Sequence, residues 1–151
     1  MQTETLDNQT AKVAPVNAVA ELIDREIHAR VLEQINVLAR EYEIRNAPEV
    51  ALFLRDNNFL LDLLAEIPTQ IRKVFGKKQK LLLEFFLDPE DSTWHRLFIR
   101  IPTKFEVEES HKLFDCFKEK WWFDNEDRSE SKIFINLRFV KRFSIGTSFV
   151  S

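Results

Sequence analysis

The sequence predicts an α+β fold: N-terminal helices, then a ββαβ unit whose three strands form an antiparallel sheet of order 2-1-3. Three observations carry this reading. Apolar residues recur every three or four positions from Val19 to Val74. From Lys80 the period shortens to two. Between the second and third strand-like runs, Glu106–Trp122 returns to helical spacing.

The chain has 151 residues, which suits one folded domain behind an N-terminal extension. Apolar residues make up 44%, enough for a core. Phe outnumbers Tyr fourteen to one, so the aromatics favour core filling over polar recognition. Gly76 and Gly146 are the only glycines, which argues against a Gly-rich phosphate loop. The net charge of −3 supplies no global attraction to nucleic acid or anionic lipid. Cys116 is the sole cysteine, so no disulfide within the chain and no Cys-based zinc site is expected. The polar start lacks a signal-peptide core and no run is long enough to span a bilayer, so the expected location is the cytoplasm.

Residues 1–16 are polar and aperiodic, and read as a disordered tail. Residues 17–45 read as one long amphipathic helix capped by Asn17, with the stripe Val19, Ile23, Ile27, Val31, Ile35, Leu38 and Tyr42. Such a helix is roughly 40 Å long. An eight-residue strand spans only roughly 25 Å. Part of the stripe should therefore overhang its own body and need a partner.

Residues 46–151 read as the α+β domain. Asn46 or Ala47 caps a short helix beginning at Pro48. Asn58 caps the next, whose stripe is Leu60, Leu64, Ile67, Ile71 and Val74. Pro68 should kink or split that helix, and Gly76 closes it. Lys80–Asp88, Trp94–Ile101 and Lys132–Val140 are the strands, the first apolar enough to be central. Phe143, Ile145, Thr147 and Phe149 alternate in a further extension or edge strand.

At 100° per residue, Val107, Ser110, Phe114, Phe117 and Trp121 share the buried face of the Glu106–Trp122 helix. Trp122 then lies at the rim, under Lys118 or against a partner. Strand alternation gives one apolar sheet face. The other mixes Phe86, Trp94, Phe98 and Phe134 with Arg96, Arg100 and Arg138. Rings with arginines suit single-stranded nucleic acid. Cross-strand pairing of Glu84 with Arg100 or Arg138 is the plainer explanation.

Signals for chemistry are weak. His28, His95 and His111 lack metal-ligand spacing, and no His near Cys116 in sequence faces it. The acidic runs Asp88–Ser92 and Asp124–Glu130 lack the glycine and distal Glu of a calcium loop. No catalytic residue, metal site or cofactor is expected.

The stretches "FLRDNNFLLDLLAEIPTQIRKVFG", "LLLEFFLDPED", "LFIRIPT", "FKEKWWFDN" and "KIFINLRFV" resemble a family of uncharacterised small bacterial α+β proteins, over about Val50 to Val140. The Trp-Trp-aromatic helix end before the last strand is the most specific element. The resemblance implies no established activity. It implies a protein partner, as in toxin–antitoxin-like pairs. The expected function is a non-enzymatic interaction module. It self-associates or binds a small protein through the Val19–Tyr42 stripe and Trp122. Nucleic-acid binding on the aromatic and arginine face is the alternative.

Overall fold

The computed structural model describes the backbone of residues 4–140, and side chains from Val19 onward except at Ala20 and Ser92. The elements are α1 (Glu4–Leu38), β1 (Glu43–Arg45), α2 (Ala47–Asp56), α3 (Leu61–Phe75), β2 (Leu82–Asp88), β3 (Asp91–Thr103), α4 (Val107–Phe117), α5 (Phe123–Asn125) and β4 (Ile133–Phe139). Of the expected tail, residues 1–3 lie outside the described residues and 4–16 begin α1, ahead of Asn17. The expected strand at Phe143–Phe149 also lies outside them.

The sheet corrects the expected topology. It has four strands in the order β1-β2-β3-β4, and it is mixed. β1 runs parallel to β2, β2 antiparallel to β3, and β3 parallel to β4. Order 2-1-3 gave the free edge of the Leu82–Asp88 strand to the last strand. That edge belongs to β1, whose register sets Ile44 beside Leu83. β4 therefore pairs on the far side of β3, with Ile135 beside Ile99. The long helix ends at Leu38, and the chain turns before β1, where the Glu43 amide donates to the Leu81 carbonyl at 2.8 Å.

All the helical packing lies on one face. Phe53 of α2 meets Phe85 with ring centroids 5.8 Å apart. On α4, the Ser110 hydroxyl lies 2.9 Å from that of Thr103. Phe85 and Thr103 share the apolar face with Leu83, Leu97, Ile99 and Ile101, which are buried. β1 and β3 run in opposite directions, yet each crossover steps the same way across the sheet. With their helices on one face, the two crossovers must have opposite hands. One is therefore left-handed, against the usual rule. Two right-handed crossovers would place α4 over the other face. Burial explains the choice: that face carries Glu84, Arg96 and Arg100, whereas α4 inserts Phe117 among apolar side chains.

Pro68 does not split α3, which is helical from Leu61 to Phe75. Proline lacks the amide that would serve the carbonyl four residues back, that of Leu64. The Tyr42 hydroxyl donates to that same carbonyl at 2.7 Å, in a buried position. Burial pushes the Tyr42 pKa well above its ordinary value, against the opposing Arg72 charge. The phenol therefore keeps the proton it donates. Arg72 also ties the chain after α1 to the end of α3. It pairs with Glu41 and donates to the Gln79 carbonyl at 3.0 Å.

Gly76 closes α3 at the expected position, but with φ 115° and ψ 153° it lies outside the left-handed helical region, in one essentially reserved for glycine. A Cβ there would meet nothing within 4 Å. Gly76→Ala should therefore cost roughly 1–3 kcal/mol through the backbone alone. A lowered urea midpoint would show it; an unchanged midpoint would exclude the strain.

The Trp pair is reversed from its expected placement. α4 ends at Phe117 and Lys118–Trp122 form a π-helical turn. A π-turn holds one extra residue, so the register slips by about 100°. Trp122 therefore enters the core at 4% exposure, and Trp121 is half-buried against it. Lys118 lies over Phe114 at 4.5 Å and near Phe123 at 5.9 Å, not over Trp122. The Asn125 side chain donates to the Trp121 carbonyl at 2.8 Å. The acidic run that follows forms further helical turns. Its Arg128 makes a two-pronged pair with Glu66 of α3, at 2.6 and 3.1 Å. That guanidinium holds the Glu66 carboxyl below its usual range.

Candidate interaction surfaces

α1 divides into two halves. Val31 and Leu38 are buried in the core, as is Tyr42 just beyond the helix, and Ile27 and Ile35 pack against it. The C-terminal half thus packs into the main body. Every described side chain from Val19 to Glu26 is exposed. Val19, Leu22 and Ile23 are each more than half exposed. Of the expected partner-binding residues, the structure thus leaves Val19 and Ile23 open. Val31, Leu38, Tyr42 and Trp122 are taken up within the chain, and Ile27 and Ile35 lie between. Leu22 joins the open group from the edge of the stripe.

The second sheet face gathers its expected residues, but they engage one another. Phe86 and Phe98 stack at 4.8 Å with planes 14° apart. Phe134 meets Trp94 at 5.8 Å and Phe98 at 5.7 Å. The Arg96 guanidinium lies 3.5 Å from the centre of the Trp94 ring and 5.0 Å from that of Phe134. Arg96 also donates to the Ser131 carbonyl, and burial lowers its pKa. Its Nε is buried with no hydrogen-bond partner among the described residues. Arg100 lies 4.9 Å above Phe98 and pairs with Glu84 at 2.7 Å, as cross-strand alternation anticipated. Glu84 also faces Arg45 of β1 at 3.5 Å. Arg138 is exposed near the end of β4. Arg96 thus lies against Trp94 and Phe134 and Arg100 against Phe98, while Phe86 meets only other rings among the described residues.

Two clefts flank the sheet. One, of about 500 Å³, lies between α2 and the β2–β3 hairpin, with Glu49, Asp56, Trp94, His95, Arg96 and Lys132 in its wall. His95 meets Phe85 edge-on at 5.6 Å. The other, of about 590 Å³, opens at the pole where α3 and β3 end, and its rim carries Lys77, Lys78, Lys80 and Lys104. Sequence reasoning missed this lysine rim. The run "GKKQK" at 76–80 was a visible signal, but the fold alone brings Lys104 to it. Cys116 is half-buried, and His111 packs on Phe139 at 5.8 Å. Among the described residues, no three His, Cys, Asp or Glu side chains are grouped to hold a metal. Among the same residues, no helix is long and apolar enough to cross a membrane. In comparisons with known proteins, no family model, curated protein or solved structure matches the chain.

Proposed function

We propose that the protein is an interaction module that self-associates through the N-terminal half of α1. The supporting observation is the exposure of Val19, Leu22 and Ile23, on a stretch where every described side chain from Val19 to Glu26 is exposed. Val19, Ile23 and Ile27 form a row with a spacing of four. Rows of this kind interlock with identical rows on a second helix, crossing at about −50°. A surface that fits itself favours a two-fold pair of identical chains. Burial of each such side chain contributes up to about 1.5–3 kcal/mol.

Sedimentation velocity tests this reading. The full chain should sediment as a dimer. Ile23→Glu should weaken dimerisation at least roughly a hundredfold, because it buries a charge in the apolar seam. Ile23 is exposed within the chain, so the melting temperature of the monomer should not change. A monomeric wild-type chain at high protein concentration would remove the proposal, as would a dimer indifferent to Ile23→Glu. A point substitution is preferable to removal of α1, whose second half supplies core side chains.

A further inference from the structure

The lysine-rimmed cleft has no role in self-association through α1. It lies where the end of α3, the start of β2 and the end of β3 meet, and its volume of about 590 Å³ suits a small ligand. Lys77, Lys78, Lys80 and Lys104 are exposed on its rim. None of them enters an ion pair among the described residues, whereas Arg45, Arg55, Arg72, Arg100, Arg128 and Lys118 all do. Four uncompensated ammonium groups in a chain of net charge −3 mark a concentrated local field.

The cleft also has a fixed frame and an apolar side. Gly76 turns the chain out of α3, and the Gly76 carbonyl accepts from the Gln79 amide at 3.1 Å. The Gln79 side chain donates to the Pro102 carbonyl, joining the two walls. The amides of Lys77 and Lys78 donate to no acceptor among the described residues. Phe105 is 42% exposed in the lining, and Val140 is 40% exposed. Clustered ammonium groups repel one another until a multivalent anion neutralises them. Lysines meet phosphate as mobile point charges. An exposed ring beside them provides a stacking surface for a flat ligand.

We propose that this cleft binds a nucleoside di- or triphosphate. The phosphates lie among Lys77, Lys78, Lys80 and Lys104, and the base lies against Phe105. This requires no Gly-rich loop, because the charge comes from side chains.

Calorimetric titration of the full chain at low ionic strength tests the proposal, with ATP and inorganic tripolyphosphate as probes. ATP should bind, and tripolyphosphate should bind on the order of tenfold more weakly, because it lacks the ring. Lys77→Gln with Lys104→Gln should weaken both probes at least roughly tenfold. Phe105→Ala should weaken ATP and leave tripolyphosphate unchanged. All three positions are exposed, so unchanged melting curves should accompany these losses. No ATP binding, or ATP binding indifferent to the lysine pair, would overturn the proposal. Equal affinity for the two probes would overturn the placement of the base. Binding of a single-stranded oligonucleotide without binding of ATP would reassign the cleft to a nucleic-acid backbone.

Discussion

Trp122→Ala should destabilise the fold by about 3–5 kcal/mol, the cost of deleting a large buried aromatic side chain. Trp121→Ala should cost clearly less, because Trp121 keeps contact with solvent and meets the core through Phe117 and Trp122, at 6.1 Å each. The ranking separates two geometries of one sequence. An unbroken α-helix puts Trp121 inside, whereas the π-turn at Lys118–Trp122 puts Trp122 inside. Urea denaturation of the two variants decides between them. A larger loss for Trp121→Ala would mean that the helix keeps its α pitch through the tryptophans. The π-turn thus contributes to stability through register: one extra residue in a turn selects which indole is buried.

The second large effect concerns Tyr42 and Pro68. Tyr42→Phe keeps the ring but removes the donor to the Leu64 carbonyl. A buried acceptor left without a partner costs about 1–3 kcal/mol. In a Pro68→Ala background, the new amide at position 68 can serve the same carbonyl. Tyr42→Phe should then cost roughly 0.5 kcal/mol or less, giving a coupling of about 1–2 kcal/mol between the sites. Equal costs in the two backgrounds would show that the hydroxyl does not stand in for the missing amide.

The same bond has a pH signature. The folded-state pKa of Tyr42 is raised above its ordinary value of 10.0. Below pH 10 the phenol is protonated in both states, and its contribution is fully present. Above pH 10 the unfolded chain releases this proton while the folded chain holds it. Stability therefore falls as pH rises toward the folded pKa. Tyr42→Phe should remove this part of the alkaline loss.

Several elements could be read from the residues. The helices at Ala47–Asp56 and Leu61–Phe75 and the β2–β3 hairpin follow from apolar spacing, Gly76 and the Asp88–Asp91 turn. The two sheet faces follow from alternation, down to the Glu84–Arg100 pair. β1 was hidden, because "YEIR" continues a polar–apolar pattern that a helix end also fits. Its strand character comes from pairing with Leu82–Glu84, a contact roughly forty residues away in sequence. The split of the α1 stripe was half visible. Its length implied an overhang, but which end overhangs depends on where α2 and α3 dock.

Local chemistry alone determined the strand faces, the glycine closing α3 and the apolar row of α1. Each depends on neighbouring residues and on backbone geometry. Tertiary structure decided the strand order, the common side of both crossovers, the choice of Trp122 over Trp121, and the rescue of Pro68 by Tyr42. Each of these pits distant groups against one another for burial or for a hydrogen bond, and the periodicity of a single segment carries no record of that contest.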